Sequence, residues 1–347
     1  MPAYASIKKN KNDTERARIV DKLLLLRKQL DRQIPAKTAT DTLLLATWNL
    51  RKFGDNRSNE SLHYLAEIIS RFDLIAIQEI TSLDGLEKLV NLLGPGWDYI
   101  VTDRTEGDPG MGERLAFVYD KCKVFFRKMA GELVLPEDQL MVDGDKKIQF
   151  ARTPYTVSFQ AGWFKFILAT VHIFFGLERK NDPKRLAEIT TMAKFINGRA
   201  KKEKANYILL GDFNIFGTND LTMKALENEG FYVPDAIKEH PTDLGKSKHY
   251  DQIAFKLKLE KNMTVFSEGA QRAGSFNFSE SIYSKQDFEI YRECFEKEYK
   301  KKKLSKPIEA YYLETWRTFQ ISDHLPLWIE LKIDFSNQYL KKIKNRN

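Results

Sequence analysis

Cysteine is nearly missing from the 347 residues: only Cys122 and Cys294 occur. Two thiols build neither a disulfide framework nor a zinc site, and such sparing use predicts a reducing, intracellular compartment. Long hydrophobic runs are missing too. Runs such as Leu23–Leu26 and Ile208–Leu210 fall far short of the ~20 residues that cross a bilayer, so no membrane association is expected. The opening Met1-Pro2-Ala3-Tyr4 lacks a basic stretch followed by an apolar one, and no secretory signal is expected. No internal repeat is visible. With 42% apolar and 30% charged residues, the composition excludes a mostly disordered or collagen-like chain.

An excess of positive charge exists, and the two ends of the chain carry it. The net charge is +8; residues 1–41 carry +5 and residues 340–347 carry +4, which leaves about −1 for residues 42–339. With the body near neutral, the high net charge is weak evidence for a nucleic-acid groove there, whereas the basic ends can strengthen binding to any polyanion in a salt-dependent way.

What is present is a regular alternation of patterns. Residues 13–33 predict a helix, capped by Asn12 or Asp13 and stopped by Pro35, with Ile19, Leu23, Leu26 and Leu30 as an apolar stripe that can pack on the body or on a partner protein. Residues 37–41 read as a linker. Leu43–Trp48, Leu74–Ile77, Phe164–Val171 and Tyr207–Leu210 are short apolar runs that suit strands buried on both faces. Helical patterns lie between them, over 60–72, 82–93 and 183–197, the last starting at a proline and stopping at Gly198. Strands alternating with helices predict α/β layers. The expected division is 1–41 as a basic amphipathic helix and linker, 42–335 as the main domain with a less regular insertion at 262–320, and 336–347 as a basic tail. Inside the insertion, 286–301 predicts a charged helix with Phe288, Tyr291, Phe295 and Tyr299 inward.

Each apolar run hands over to polar residues. Leu43–Trp48 runs into Asn49 and Arg51, Leu74–Ile77 into Gln78-Glu79, Phe164–Val171 into His172, and Tyr207–Leu210 into Gly211-Asp212-Phe213-Asn214. Asp251 precedes Ile253-Ala254-Phe255, and Ser322-Asp323-His324 precedes Leu325-Pro326-Leu327. If these edges coincide, the carboxylates converge, which is costly unless a cation or hydrogen-bond donors compensate them. A cluster of Asp, Glu and Asn oxygens is what a hard cation such as Mg²⁺ requires.

In this order, Trp48-Asn49-Leu50-Arg51-Lys52-Phe53-Gly54, Ile77-Gln78-Glu79, Gly211-Asp212-Phe213-Asn214, His249-Tyr250-Asp251 and Ser322-Asp323-His324-Leu325-Pro326-Leu327 resemble the endonuclease/exonuclease/phosphatase superfamily, over about 43–335. The segments Gly112-Glu113-Arg114-Leu115-Ala116-Phe117 and Phe150-Ala151-Arg152-Thr153-Pro154 are similar to its deoxyribonuclease I-type members. The resemblance implies a four-layer α/β/β/α sandwich with the site across one end, and Mg²⁺ or Mn²⁺ as cofactor. Glu79 and Asp323 are the implied metal ligands, with Asn49 nearby; Asp212 and Asn214 hold a second metal or orient phosphate and water. His172 with Glu113, and His324 with Asp251, are the implied proton-transfer pairs, with His324 first assigned as base and His172 as acid, or the reverse. Arg152 is expected on a phosphate oxygen and Arg51 on the flanking backbone.

The reaction so implied is hydrolysis of DNA by an endonuclease. Two departures concern substrate grip: Thr81 stands where deoxyribonuclease I-type members carry an arginine, and a sugar-packing tyrosine falls near Met111 here. Single-stranded DNA and RNA therefore stay open as substrates. Same-fold phosphoesterases acting on phospholipid head groups or inositol phosphates, and a non-catalytic interaction domain, are the competing readings. The second has no need to keep both histidines, their acids and every metal ligand.

Overall fold

Side chains of Leu43–Trp48 alternate between two apolar environments. Leu43 and Leu45 join a cluster with Leu74, Phe117 and Phe159, whereas Leu44, Ala46 and Trp48 join another with Leu65, Ile68 and Leu86. A strand covered on both faces requires this. In the computed structural model, which describes residues 2–105, 112–258, 265–266 and 272–344, the run becomes β1 (Thr42–Phe53). The strands that follow among the described residues are β2 (Leu74–Ile80), β3 (Trp97–Val101), β4 (Arg114–Asp120), β5 (Val124–Glu132), β6 (Met141–Asp143), β7 (Lys146–Ile148), β8 (Tyr155–Ala161), β9 (Phe164–His172), β10 (Tyr207–Asp212), β11 (Asp251–Lys256), β12 (Ala273–Ser275) and β13 (Leu327–Lys332).

They form two main sheets, ordered β12-β13-β1-β2-β4-β3 and β11-β10-β9-β8-β5, with β6 and β7 as a separate hairpin. Phe117, on the first sheet, meets Phe159, on the second, edge-on at 5.6 Å, so the sheets pack face to face. Helices Asp13–Gln33, Asn59–Ile69, Leu83–Leu93 and Phe288–Lys302 cover the outside of the first sheet, and Pro183–Glu203 and Leu221–Asn228 cover the second. This is the expected α/β/β/α sandwich. Each sheet holds one parallel pair, β1 with β2 and β9 with β10, and all its other pairs are antiparallel. The connection in each parallel pair is a helix, Asn59–Ile69 in one and Pro183–Glu203 in the other.

The stripe of helix Asp13–Gln33 is buried at Ile19, Leu23, Leu26 and Leu30, and it packs on the body of the same chain. Polar ties flank it: Arg18 pairs with Glu60 at 2.7 Å, and the Gln29 amide donates to the Asn277 carbonyl at 2.8 Å. Residues 37–41 are irregular but fastened, with Lys37 on Asp120 at 2.9 Å. Two expectations change. Helix Pro183–Glu203 does not stop at Gly198, because a solvent-side glycine costs a helix only about 0.5–1 kcal/mol relative to alanine, and the next turn buries Ala200. The stretch expected to be less regular is largely helical over 278–320, and the helix expected at 286–301 is found at Phe288–Lys302. Its Phe278, Tyr283, Tyr291, Phe295 and Trp316 build the outer helical layer of the first sheet. No helix among the described residues is long and apolar enough to cross a membrane.

Candidate active site

Register explains the convergence of the polar residues. Asp212, the last residue of β10, lies opposite His172, the last residue of β9, and opposite Asp251, the first of β11. In the other sheet, Asn49 lies opposite Gln78 near the ends of β1 and β2, and Arg114 at the start of β4 lies opposite Ile80. Both parallel pairs thus present their carboxyl ends at one end of the sandwich, where α/β sheets commonly bind ligands. Two side-chain bonds cross the seam there: the Gln78 amide donates to Thr170 Oγ1 at 2.9 Å, and the Asn49 amide donates to Asp212 Oδ2 at 3.0 Å.

Two histidine–carboxylate pairs face Asp212. His172 Nδ1 lies 3.0 Å from Glu113 Oε2, and His324 Nδ1 lies 2.8 Å from Asp251 Oδ2. Each carboxylate fixes its imidazole so that Nε2 points at the shared acid, 3.6 Å from Asp212 Oδ2 for His172 and 3.8 Å for His324. All five side chains are buried. The pairs differ in one respect. Glu113 Oε2 also accepts from Arg152 Nε at 2.7 Å, so a guanidinium sits behind His172. Burial and Arg152 oppose protonation of His172, and the carboxylates of Glu113, Asp212 and Glu79 outweigh them to raise its pKa. For His324 burial is the largest opposing influence. Asp251, Asp212 and Asp323 hold it well above the usual imidazole value.

Asn49 is the hub between the sheets. Its Nδ2 donates to Glu79 Oε1 at 2.8 Å as well as to Asp212 Oδ2. Its Oδ1 accepts the Arg51 N–H at 2.9 Å, so the group it turns to the site is the amide NH₂, where the sequence suggested an oxygen ligand. Burial would raise the Glu79 carboxyl. The nearby His172, the Asn49 amide, His324 and the Lys52 N–H at 2.9 Å together hold it below its ordinary value. These contacts rest on unusual backbone. Arg51, Lys52, Glu79 and Asn214 have φ of 42°, 50°, 61° and 53°, and pairing of β1 with β2 shifts register between Asn49 and Phe53. Positive φ outside glycine is costly and clusters at functional sites, and a register shift re-aims side chains. Gly211, at φ 139°, has a steric duty: a Cβ there would lie 2.2 Å from the Val171 carbonyl oxygen.

The remaining expected residues are placed as follows. Asn214 donates its amide to the Ile173 carbonyl at 2.7 Å and its N–H to Asp212 Oδ1 at 2.9 Å. Asp323 is paired with Arg51 at 2.9 Å, and Arg51 also lies on the Phe319 ring, 4.3 Å from its centroid. Thr81 is bonded to the Phe53 carbonyl. Met111 lies outside the described residues. Among the described residues, two groups bring three acid or histidine ligand atoms within 4.8 Å: Glu79, Glu113 and His172, and Asp212, Asp251 and His324. Asp323 belongs to neither. Glu79 and Asp212, two carboxylates joined through one amide, form a hard oxygen set that fits a divalent cation.

One residue behind the site carried no sequence signal. Glu188, on helix Pro183–Glu203, accepts the N–H groups of Ala151 and Phe174, both at 2.9 Å. Ala151 precedes Arg152, and Phe174 follows His172 by two. Burial raises the Glu188 carboxyl, against those two N–H groups and the charges of Arg152 and His172. On a helix it reads as an ordinary surface acid, and only tertiary packing makes it internal.

A two-sheet sandwich with such an acid-and-histidine edge defines a class before any relative is consulted. The family model described as Endonuclease/Exonuclease/phosphatase family matches residues 46–232, and the chain belongs to that family. A protein named deoxyribonuclease, from Thioalkalivibrio sp. (strain K90mix), is 29% identical over 191 residues, covering 52% of this chain and 48% of that protein. The chain thus matches about half of that relative's length. An endonuclease/exonuclease/phosphatase family protein from Bacteroides thetaiotaomicron superposes with a TM-score of 0.53 at 17% identity, covering 86% of this chain and 98% of that one. The B. thetaiotaomicron mannosyl-6-phosphatase Bt3783 gives 0.52 at 17% identity, covering 83% and 99%. The human nocturnin catalytic domain with bound sulfate gives 0.51 at 13%, covering 84% and 94%. At these identities the structures show the shared fold.

Proposed function

We propose that the chain is a divalent-metal-dependent phosphodiesterase, and that it acts as an endonuclease on DNA. The observation that carries the reading is the pair of carboxylate-fixed imidazoles aimed at one buried aspartate, at 3.6 and 3.8 Å. Phosphodiester hydrolysis needs one group to take a proton from water and another to give one to the leaving oxygen, each worth about 10²–10⁴-fold. A divalent cation, Mg²⁺ or Mn²⁺, held by Glu79 and Asp212, would supply neutralisation of the phosphoryl charge.

The chain's own residues divide the remaining work. His324, held well above the usual imidazole value by its carboxylates, is the more fully protonated of the two at neutral pH, and we assign it as the acid. His172, with Arg152 behind its partner, has its neutral form favoured by comparison, and we assign it as the base. This order reverses the first assignment from sequence. Glu113 and Asp251 fix the tautomers, so that each Nε2 faces the reacting phosphate. Arg152 keeps its terminal guanidinium nitrogens for a non-bridging phosphate oxygen while its Nε stays on Glu113. Arg51 holds Asp323 at the rim, near the flanking backbone. The name of the Thioalkalivibrio relative supports DNA as substrate.

The test is nicking of supercoiled plasmid with Mg²⁺ or Mn²⁺, with excess chelator, and by a His324→Ala variant. Nicking that needs both the metal and His324 is expected. A folded, metal-supplied protein that leaves plasmid, single strands and RNA intact would overturn the nuclease reading.

A further inference from the structure

A column of aromatic rings runs outward from His324, and none of the chemistry above uses it. Tyr250 lies against the His324 ring, with centroids 5.4 Å apart and planes at 34°. Phe216 meets Tyr250 edge-on at 5.5 Å, and Phe175 stacks along Phe216 at 6.1 Å and 28°. Phe216 is buried, whereas Phe175 is 39% exposed. Phe175 lies three residues beyond His172, in the loop that leaves β9.

The column stands on a rigid base. Arg185 is fully buried, with its guanidinium 4.8 Å from the Phe216 centroid and 5.8 Å from that of Phe175. Its Nη1 donates to the Asn214 carbonyl at 2.7 Å, which ties the column to the loop that carries Asp212 and Asn214. Lys248 places its ammonium 4.2 Å from the Phe216 centroid. The exposed ring is thus held in place at the outer end of a column that reaches His324.

Such a ring offers nothing to a phosphate or a metal ion. It offers a flat apolar face to another flat apolar face. Inside a duplex the base faces are covered by their neighbours, so a base reaches a side-chain ring only when it is unpaired or turned out of the stack. Resting on the phosphodiesterase reading, we infer that Phe175, backed by Phe216, Arg185 and Tyr250, is a stacking subsite for an unpaired nucleobase next to the scissile phosphate. The preferred substrate is therefore single-stranded or locally unpaired nucleic acid. Lys248 neutralises an adjoining phosphate.

Binding tests this apart from turnover. Fluorescence anisotropy is measured on the full chain with Mg²⁺, in a His172→Ala background that slows cutting. The probes are a labelled four-nucleotide thymidine strand, the same strand with tetrahydrofuran abasic residues throughout, and a duplex. Alanine substitution of a stacking ring typically weakens binding about 5- to 150-fold per base. Phe175→Ala is expected to weaken the thymidine strand by that factor and Phe175→Trp to restore it. The abasic strand, already weak, should lose nothing further, and the duplex should bind less tightly than the single strand. The inference is overturned if Phe175→Ala binds the thymidine strand like its parent, or if the abasic strand loses as much, which would mean that the ring packs on sugar. It is also overturned if the parent prefers the duplex or binds no single strand. Thermal unfolding of each variant confirms folding. Hydrolysis by the parent chain is followed separately: Phe175-dependent binding without any hydrolysis would remove the phosphodiesterase reading and keep the subsite. Hydrolysis indifferent to Phe175 would do the opposite.

Discussion

Replacing Glu188 tests whether the catalytic loops are held from behind. Its carboxylate accepts two backbone N–H groups at 2.9 Å, one beside Arg152 and one two residues past His172. A buried donor left without a partner costs about 1–3 kcal/mol. Both groups here are partly buried, so Glu188→Ala should lose about 2–4 kcal/mol. The loss should depend on pH. The Glu188 carboxyl is raised in the fold, mainly by burial. An acid whose folded pKa exceeds its unfolded value contributes most below the unfolded pKa, and that contribution falls as pH climbs through the folded one. The gap between wild type and Glu188→Ala should therefore be wider in acid than at neutral pH. Urea unfolding at the two pH values measures it. Glu188→Gln keeps one carbonyl oxygen for one of the N–H groups and should fall between. Activity should drop in kcat, because Arg152 and His172 lose their alignment. A variant within about 0.5 kcal/mol of wild type at both pH values, with normal kcat, would refute the reasoning.

Asp251→Asn removes the carboxylate that raises His324. If His324 is the acid, the alkaline limb of the pH–rate profile should move to lower pH while the acidic limb stays, and an unmoved alkaline limb would return the acid role to His172. Gly211→Ala combines a positive φ with a Cβ 2.2 Å from the Val171 carbonyl oxygen, and should destabilise by about 3 kcal/mol or more in urea unfolding. Chelation should abolish hydrolysis. Added Mg²⁺ at about 100 times its Kd should raise unfolding stability by about 2.7 kcal/mol in wild type and far less in Glu79→Gln or Asp212→Asn, as calorimetry would show.

The strands that carry the site were legible because each is a short apolar run ending in polar residues, and burial on both faces leaves that mark. The histidine pairs were legible only through resemblance, since Glu113 and His172 stand 59 residues apart and nothing local joins them. What stayed hidden depends on backbone. The orientation of Asn49 follows from the Arg51 N–H two residues on, a backbone contact that no side-chain pattern announces. Within 278–320 the long helix was legible from Phe288, Tyr291, Phe295 and Tyr299, but the helical pieces around it are only three to five residues each and too short to show a stripe. Glu188 was invisible for the opposite reason: its helix reads as amphipathic with or without it.

The seam between the sheets has a further consequence. Asn49 and Glu79 belong to one sheet, and Asp212, His172 and Asp251 to the other. The proposed metal-holding acids Glu79 and Asp212 therefore lie on different slabs, and their spacing reports how the two slabs sit on each other. A cavity cut deep in the interior, at Phe117 or Phe159, lies away from any reacting atom. It would still let one slab slide, and turnover would register the slip before the fold gave way. In this architecture the core is the ruler against which the chemistry is set.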